Sequence, residues 1–308
     1  MQAKDCILIS VVIPTYNHAE FLKRALASII SQKHTDWEVI VIDNHSNDHT
    51  DEVVRSFGNS KFKLLKINNN GVIGASRNLG ISQARGEWIA FMDSDDLWYN
   101  SRLSMCAPFY ENQNKEFDII STNEMMVFNN GNKQKILRHG PASKNMYRDM
   151  ILYGNRLSPS ATIVRKSFLE RNNLMFSENP KFVSAEDYDF WLRIAKHEPS
   201  FIFLNSVEGE YTIHSGNTSN QLDKHISAIK CVLKKHVFEL QKFEADKTKL
   251  WRKVRSRIYF TNAVKGLKTF GLVPAARLLL KSVALSPFGL IDIIWKRLRQ
   301  KYTLNRGN

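Results

Sequence analysis

The sequence predicts an α/β protein: a parallel sheet with polar and acidic residues at its strand ends, then a helical and strongly basic tail. Three observations predict it. Apolar runs of strand length, Ile7 to Ile13, Trp37 to Ile42 and Trp88 to Met92, alternate with stretches of helical periodicity. Each run stops on polar chemistry: Pro14-Thr15-Tyr16-Asn17, Asp43, and Asp93-Ser94-Asp95-Asp96. Charge is also divided along the chain. Residues 1–224 hold 25 Lys+Arg and 26 Asp+Glu, whereas residues 225–308 hold 19 and 4, so the basicity behind the net +14 lies in the last quarter.

The elements follow in order. Ile7 to Ile13 is nearly all β-branched, as a strand covered on both faces requires. Pro14 ends it, and Phe21, Leu22, Ala25, Leu26, Ile29 and Ile30 mark a helix from Ala19 to Gln32. Trp37 to Ile42 is the second strand, Asp48-His49-Thr50 caps a helix through Phe57, and Phe62 to Ile67 is the third strand. After a turn at Asn68–Gly71, Ile73 to Ala84 reads as a helix that leads to the Trp88 strand. Short links and strict alternation point to parallel pairing, with ligands at the carboxyl ends of the strands. Asp43, the Asn68–Gly71 turn and Asp93–Asp95 should therefore line one crevice. Neither a G-x-G-x-x-G fingerprint nor a Walker A loop is present.

Beyond Trp98 the pattern is mixed. Phe117 to Ser121, Glu124 to Phe128, Ser160 to Val164 and Glu208 to Ile213 read as strands, Asn129-Asn130-Gly131-Asn132 as a turn, and Lys166 to Asn172 as a helix. A further helix starts near Glu186, with Tyr188, Trp191, Leu192 and Ala195 on its apolar face. From about Gln221 the chain is helical. Trp251, Val254, Ile258 and Tyr259 form one stripe; Ala275 to Ala284 and Leu290 to Leu298 form others, separated by Pro274 and Pro287.

Composition narrows the class. An apolar fraction of 43% with 24% charged residues suits a folded globular chain of 308 residues. Cys6, Cys106 and Cys231 lie far apart, which argues against a disulfide framework or a zinc site and fits a reducing compartment. The N-terminus lacks the pattern of a signal peptide, and no stretch approaches the ~18 uncharged apolar residues of a membrane span.

The stretch Trp88 to Trp98 carries the sharpest chemistry. Three carboxylates in four residues at the end of a buried strand point to a cation, because ionised carboxylates are costly to bury unpaired. Asp93 and Asp95 lie two apart, so both are expected to face one point, with Ser94 turned away. A solvated turn has the same composition, as does ordinary helix-end chemistry at Glu186-Asp187 or a solvated loop histidine at His214.

Taken together these motifs resemble the family 2 glycosyltransferases over about Ile9 to Ser219. Val11 to Asn17 is similar to the opening strand whose end touches the nucleotide, which implies contacts from Pro14, Tyr16 and Asn17. Asp43 stands where the family's base-reading aspartate stands, although the usual Asp-Asp-Gly-Ser reads Asp43-Asn44-His45-Ser46 here. Asn70 to Gly80 resembles the loop and helix that support the nucleotide sugar, with Asn70 and Arg77 as candidate contacts. Asp93-Ser94-Asp95 falls at the metal-binding position, with Asp93 and Ser94 also candidate nucleotide-sugar contacts, and Glu186-Asp187 at that of the catalytic base. Tyr211 to His214, with Asn217 and Ser219, resembles the closing motif whose histidine helps hold the metal or diphosphate.

The resemblance implies a GT-A fold, with a Rossmann-like nucleotide half (1–98) and a mixed-sheet acceptor half (99–222). It also implies an inverting, metal-dependent transfer from a UDP-sugar to a glycan acceptor, and the tail adds a polyprenyl-diphosphate-linked acceptor as the expected setting. Asp95, Asp93 and His214 would hold Mn²⁺ or Mg²⁺, which oxygen donors with one imidazole suit. Asp43 would accept from uracil N3–H. Asp187 would act as base, with Glu186 supporting it or orienting the acceptor. Arg77 would pair with a phosphate or with Asp93, or else lie at the surface, and Asp96 would be structural. A catalytically silent nucleotide-sugar-binding scaffold is the competing reading; Asp43, Asp93, Asp95, Asp187 and His214 together speak against it.

Residues 223–308 form a separate helical region. Lys and Arg interleaved with Trp251, Tyr259, Phe270, Trp295 and Tyr302 suit an anionic membrane surface better than nucleic acid. Ile291 to Arg299 sets apolar residues and Trp295 beside a cationic cluster. A helical cap with a basic outer face is the alternative. The expected location is the cytoplasm, peripheral at the inner face of the cell membrane.

Overall fold

The computed structural model describes residues 8–110, 117–128, 132–214, 216, 222–269, 271–292 and 294–295. Cys6, Asn129 to Gly131, Asn217, Ser219, Phe270, Tyr302 and the end of the Ile291–Arg299 segment lie outside them. The chain divides into two compact units, residues 1–144 with 156–217, and residues 145–155 with 218–308.

The first unit is built on one mixed sheet of nine strands, in the order β3-β2-β1-β4-β8-β6-β9-β5 with β7 beside β6. Four parallel strands form its nucleotide-side half: β1 Ile9–Thr15, β2 Trp37–Asp43, β3 Phe62–Lys66 and β4 Trp88–Phe91. β1, β2 and β4 are buried along their whole length, as their apolar runs require. Helices α1 (Ala19–Ile30), α2 (Thr50–Ser56) and α3 (Ile73–Gln83) make the crossovers. α3 sits close because Gly80 faces Val12; a Cβ there would lie 2.3 Å from Val12 Cγ1. This is the GT-A arrangement, with β1 flanked by β2 and β4 so that their carboxyl ends open a crevice.

The other half adds β5 Leu97–Trp98, β6 Ile119–Phe128, β7 Lys133–Leu137, β8 Thr162–Arg165 and β9 Phe201–Ile213, with helices α4 (Arg102–Tyr110), α6 (Lys166–Arg171) and α7 (Glu186–Lys196). Two strand readings need correction. The pair expected at 117–121 and 124–128 is the single strand β6, because its irregular register against β9 lets pairing continue through Thr122 and Asn123. β9 begins at Phe201 rather than Glu208, since parallel pairing with β6 carries its early, less regular residues into the sheet.

In the second unit, α5 (Met146–Tyr153) joins α8 (Leu222–Lys235), a π turn at His236–Leu240, α9 (Lys247–Thr269) and α10 (Leu272–Leu285). Val232, Leu233, Val237, Val254 and Ile258 are buried in it, and Tyr147 Oη lies 3.0 Å from the buried His236 Nδ1. Pro274 does not separate adjacent helices; it lies in the first turn of α10, where its missing N–H forfeits no helical bond. Among the described residues no helix is long and apolar enough to cross a membrane.

Candidate active site

At the carboxyl ends of β1 to β4 the predicted residues do meet. Asp43 closes β2 opposite Thr15 and is wholly buried. It accepts from Ser46 N at 3.0 Å, from Ser46 Oγ, and from Lys66 Nζ at 2.8 Å. Asn17, in the left-handed region at φ 51°, ties β1 to this loop: its N–H donates to Ser46 Oγ and its Oδ1 accepts from Asn47 N, both at 2.8 Å. Asn69 N donates to Asn44 Oδ1 at 2.9 Å, which adds the turn after β3. Pro14 is buried in β1, whereas Tyr16 and Asn70 are exposed. The turn is held from within by Asn69, not Asn70, through its amide to Ser76 Oγ at 2.8 Å.

The acids after β4 take different partners. Asp96 N donates to Asp93 O at 3.1 Å and closes a tight turn, so strand alternation has already ended. Asp93 therefore goes to Arg77 NH2 at 2.7 Å, whereas Asp95 Oδ2 meets His214 Nε2 at 2.8 Å. Ser94 is not turned away; its buried hydroxyl lies 3.1 Å from His18 Nδ1. His214 stacks on Phe21 with ring centres 4.6 Å apart, and His18 meets its edge at 5.6 Å. Asp96 is buried and structural: Ser160 Oγ and Thr212 N donate to its two oxygens, which binds the turn to β9. Burial, with Asp95 and Glu124 adding negative charge, pushes its carboxyl well above the usual range.

Arg77 joins this strand end to the start of α7. Its guanidinium is buried, donates to Glu186 Oε1 at 2.8 Å as well as to Asp93, and lies 5.2 Å from the centre of the Phe176 ring. The reading of Arg77 as a surface residue is thereby excluded. Its neighbour Asn78 clamps the preceding loop, accepting from Phe176 N at 2.7 Å and donating to Phe176 O at 3.0 Å. Glu186 is buried, and its Oε2 has no hydrogen-bond partner among the described residues. Asp187, half-buried beside it, is pushed up to about 7 by burial and then by the charge of Glu186, with Arg77 opposing. Burial likewise raises Asp93, more than Arg77 lowers it. The arrangement sets a carboxyl of near-neutral pKa at a helix start, beside Glu186, which one arginine joins to the turn after β4 at the crevice. A base so tuned suits proton abstraction near neutral pH.

Among the described residues no three His, Cys, Asp or Glu side chains form a ready metal group. Asp95 and His214 do supply one carboxylate and one imidazole in contact, a donor pair suited to Mg²⁺ or Mn²⁺ when a ligand's phosphates and water complete the shell.

His18, Phe21, Lys66 and Ser160 were not among the residues singled out for the site. Two of them leave a trace in the sequence: His18 directly follows the Pro14–Asn17 motif, and Lys66 ends β3 in register with Asp43.

A mixed sheet that opens a crevice at these strand ends has the GT-A fold of a transferase. The chain belongs to glycosyl transferase family 2, whose model matches residues 10–171. It is 30% identical over 223 residues to the Escherichia coli UDP-Glc:alpha-D-GlcNAc-diphosphoundecaprenol beta-1,3-glucosyltransferase WfgD, covering 72% of this chain and 83% of that one. In structure it resembles Staphylococcus aureus TarS 1–349 in complex with UDP-GlcNAc, with TM-score 0.63, 21% identity, and 90% and 80% of the two chains covered. It also resembles the mannosyltransferase PcManGT of Pyrobaculum calidifontis in complex with GDP-Man and Mn²⁺, with TM-score 0.60, 16% identity, and 94% and 88% covered. These two likenesses concern the fold.

Proposed function

We propose that this glycosyltransferase moves a sugar from a UDP-sugar to a hydroxyl of a glycan acceptor with inversion, using a divalent ion. One observation carries the reading: Arg77 spans Asp93 and Glu186 at 2.7 and 2.8 Å, so the donor-facing strand end and the helix that bears Asp187 form one charged cluster. Asp43, with Pro14, Tyr16, Asn17 and Asn70 around the crevice, would take the nucleoside. Asp187 would remove the acceptor proton as the acceptor oxygen bonds to the anomeric carbon, while the bond from that carbon to the diphosphate breaks and UDP leaves. Glu186, its Oε2 without a partner, would hold the acceptor or keep Asp187 basic. Asp95 and His214, with Asp93 nearby in the same turn, would hold Mn²⁺ or Mg²⁺, which offsets charge on the leaving diphosphate.

The acceptor we favour is a glycan on a polyprenyl diphosphate, in the assembly of surface polysaccharides such as O-antigen or capsule. WfgD, whose name specifies a diphosphoundecaprenol-linked acceptor, supports it, as does the basic tail. We place the protein in the cytoplasm at the inner membrane face, with residues 1–222 as the transferase domain and 223–308 as its membrane-facing region. The test is UDP release from a panel of UDP-sugars with Mn²⁺ and a lipid-diphosphate-linked acceptor, comparing wild type with Asp187→Asn. Loss of acceptor-dependent turnover with retained UDP binding is the expected result. Unchanged turnover would remove Asp187 as base, and nucleotide binding without turnover in the wild type would favour a scaffold.

A further inference from the structure

Helix α10 is built inside out. Its buried residues are the small Ala275 and Ser282, and Ser282 Oγ donates to Ser256 O at 2.7 Å, so the helix packs closely on α9. Leu278 and Leu285 are half-buried, but five large apolar residues face outward: Leu272 is 73% and Leu280 71% exposed, with Val273, Leu279 and Val283 exposed beside them. At 100° per residue these five fall within one third of the helix circumference. Arg277 and Lys281, both exposed, border that arc, and Lys281 Nζ lies 6.0 Å from the centre of the Tyr259 ring of α9. Beyond α10 the same character continues, with Phe288 84%, Ile291 52% and Trp295 60% exposed. Exposed apolar side chains in such number mark an interaction surface.

We propose that this face of α10, continued by Phe288, Ile291 and Trp295, docks on an anionic lipid membrane, lying in the interface with its cations at the headgroups. The inference deepens the peripheral-membrane reading above by assigning the surface that carries it. Charge selects the occupant. From residue 271 to the C-terminus the chain has seven Lys+Arg and one acid, Asp292. A second copy would bring like charge against like charge. The chain's own end, residues 296–308, adds five Lys+Arg and no acid to an already cationic edge. Nucleic acid matches the cations but has no apolar layer to receive the leucines. An anionic bilayer offers both an acyl boundary and negative headgroups.

The full chain is tested by sedimentation with vesicles of phosphatidylglycerol and phosphatidylcholine in equal parts, and with phosphatidylcholine alone. Wild type should bind the anionic vesicles at least about tenfold more tightly, and Leu280→Glu with Phe288→Glu should lose at least about tenfold. Circular dichroism melts and transfer to a soluble acceptor should be unchanged in that variant, since both side chains are exposed. Arg277→Gln with Lys281→Gln should weaken binding to the anionic vesicles only. Wild type that fails to bind would overturn both the surface and the peripheral location. Undiminished binding by the Leu280→Glu, Phe288→Glu protein would overturn the surface and leave the location standing. A wild-type dimer that this variant converts to monomer would make the face an interface between copies, and displacement of bound vesicles by duplex DNA at physiological salt would point to nucleic acid; either result overturns the proposal.

Discussion

The two units break the ordinary rule of burial in opposite directions. In the first, Arg77, Glu186, Asp96 and Asp43 are buried charges, and Asp187 titrates near neutrality. In the second, α10 buries alanine and serine and exposes leucine. Buried charge is expensive unless neighbours compensate it, so the first departure needs many elements acting together. Exposed leucine is costly to the free chain alone and needs only a suitable surface outside it. One unit thus turns its costly groups inward, where neighbours must hold them; the other turns them outward, to solvent or to the surface proposed above.

The comparison breaks most sharply if Asp187 proves dispensable. Asp187→Asn is expected to lower kcat by about 10²–10⁴-fold, measured as acceptor-dependent UDP release, because a positioned base contributes on that scale. Chelation with EDTA should abolish turnover, and Mn²⁺ or Mg²⁺ should restore it.

Arg77→Met leaves Glu186 and Asp93 facing each other without their shared cation. A loss of about 3–5 kcal/mol in urea unfolding at neutral pH is expected for breaking a buried pair. The loss should shrink at low pH, where both carboxyls take up protons.

Gly80→Ala probes the packing that carries the crevice. A Cβ 2.3 Å from Val12 Cγ1 forces α3 away from β1, and about 1–3 kcal/mol of destabilisation should follow in the same assay.

The pH dependence follows from Asp187, whose carboxyl rises on folding from 3.8 to about 7. As base it must be ionised, so turnover should climb as pH rises through about 7. For stability the sign is opposite. The folded state holds the proton more tightly, so ionisation penalises folding progressively above 3.8 and fully above about 7. Asp187→Asn should then gain stability over wild type at pH above that range and none well below it, which melting at the two extremes would show.

Leu280→Glu should have the smallest effect of all. An exposed position tolerates charge within about 0.5 kcal/mol, and a melt much lower than wild type would mean that α10 is covered within the folded chain.

The first four strands and their crossovers were legible in the sequence because each is a local pattern of apolar runs with helical periodicity between, although β1 continues through Pro14 to Thr15 and β4 stops at Phe91, before Asp93. β6 and the early residues of β9 were not, since their pairing is irregular and depends on a partner about 80 residues away. In the site, the residue types and their order marked Asp43, Asp95, Asp187 and His214 as candidates. Spacing could not say what Asp93 and Asp95 each meet: the turn there sends them to different partners, Arg77 and His214.

The sequence by itself therefore determined the strand order in the chain, the acids at the strand ends and the basic tail, because periodicity and composition are properties of neighbouring residues. Tertiary structure alone decided that Arg77 reaches Asp93 and Glu186, 16 and 109 positions away, and so joins the turn after β4 to the start of α7. It alone decided which face of α10 is covered, since periodicity marks an apolar stripe without saying what packs on it. Charge compensation and burial are sums over neighbours in space, and only the fold says who the neighbours are.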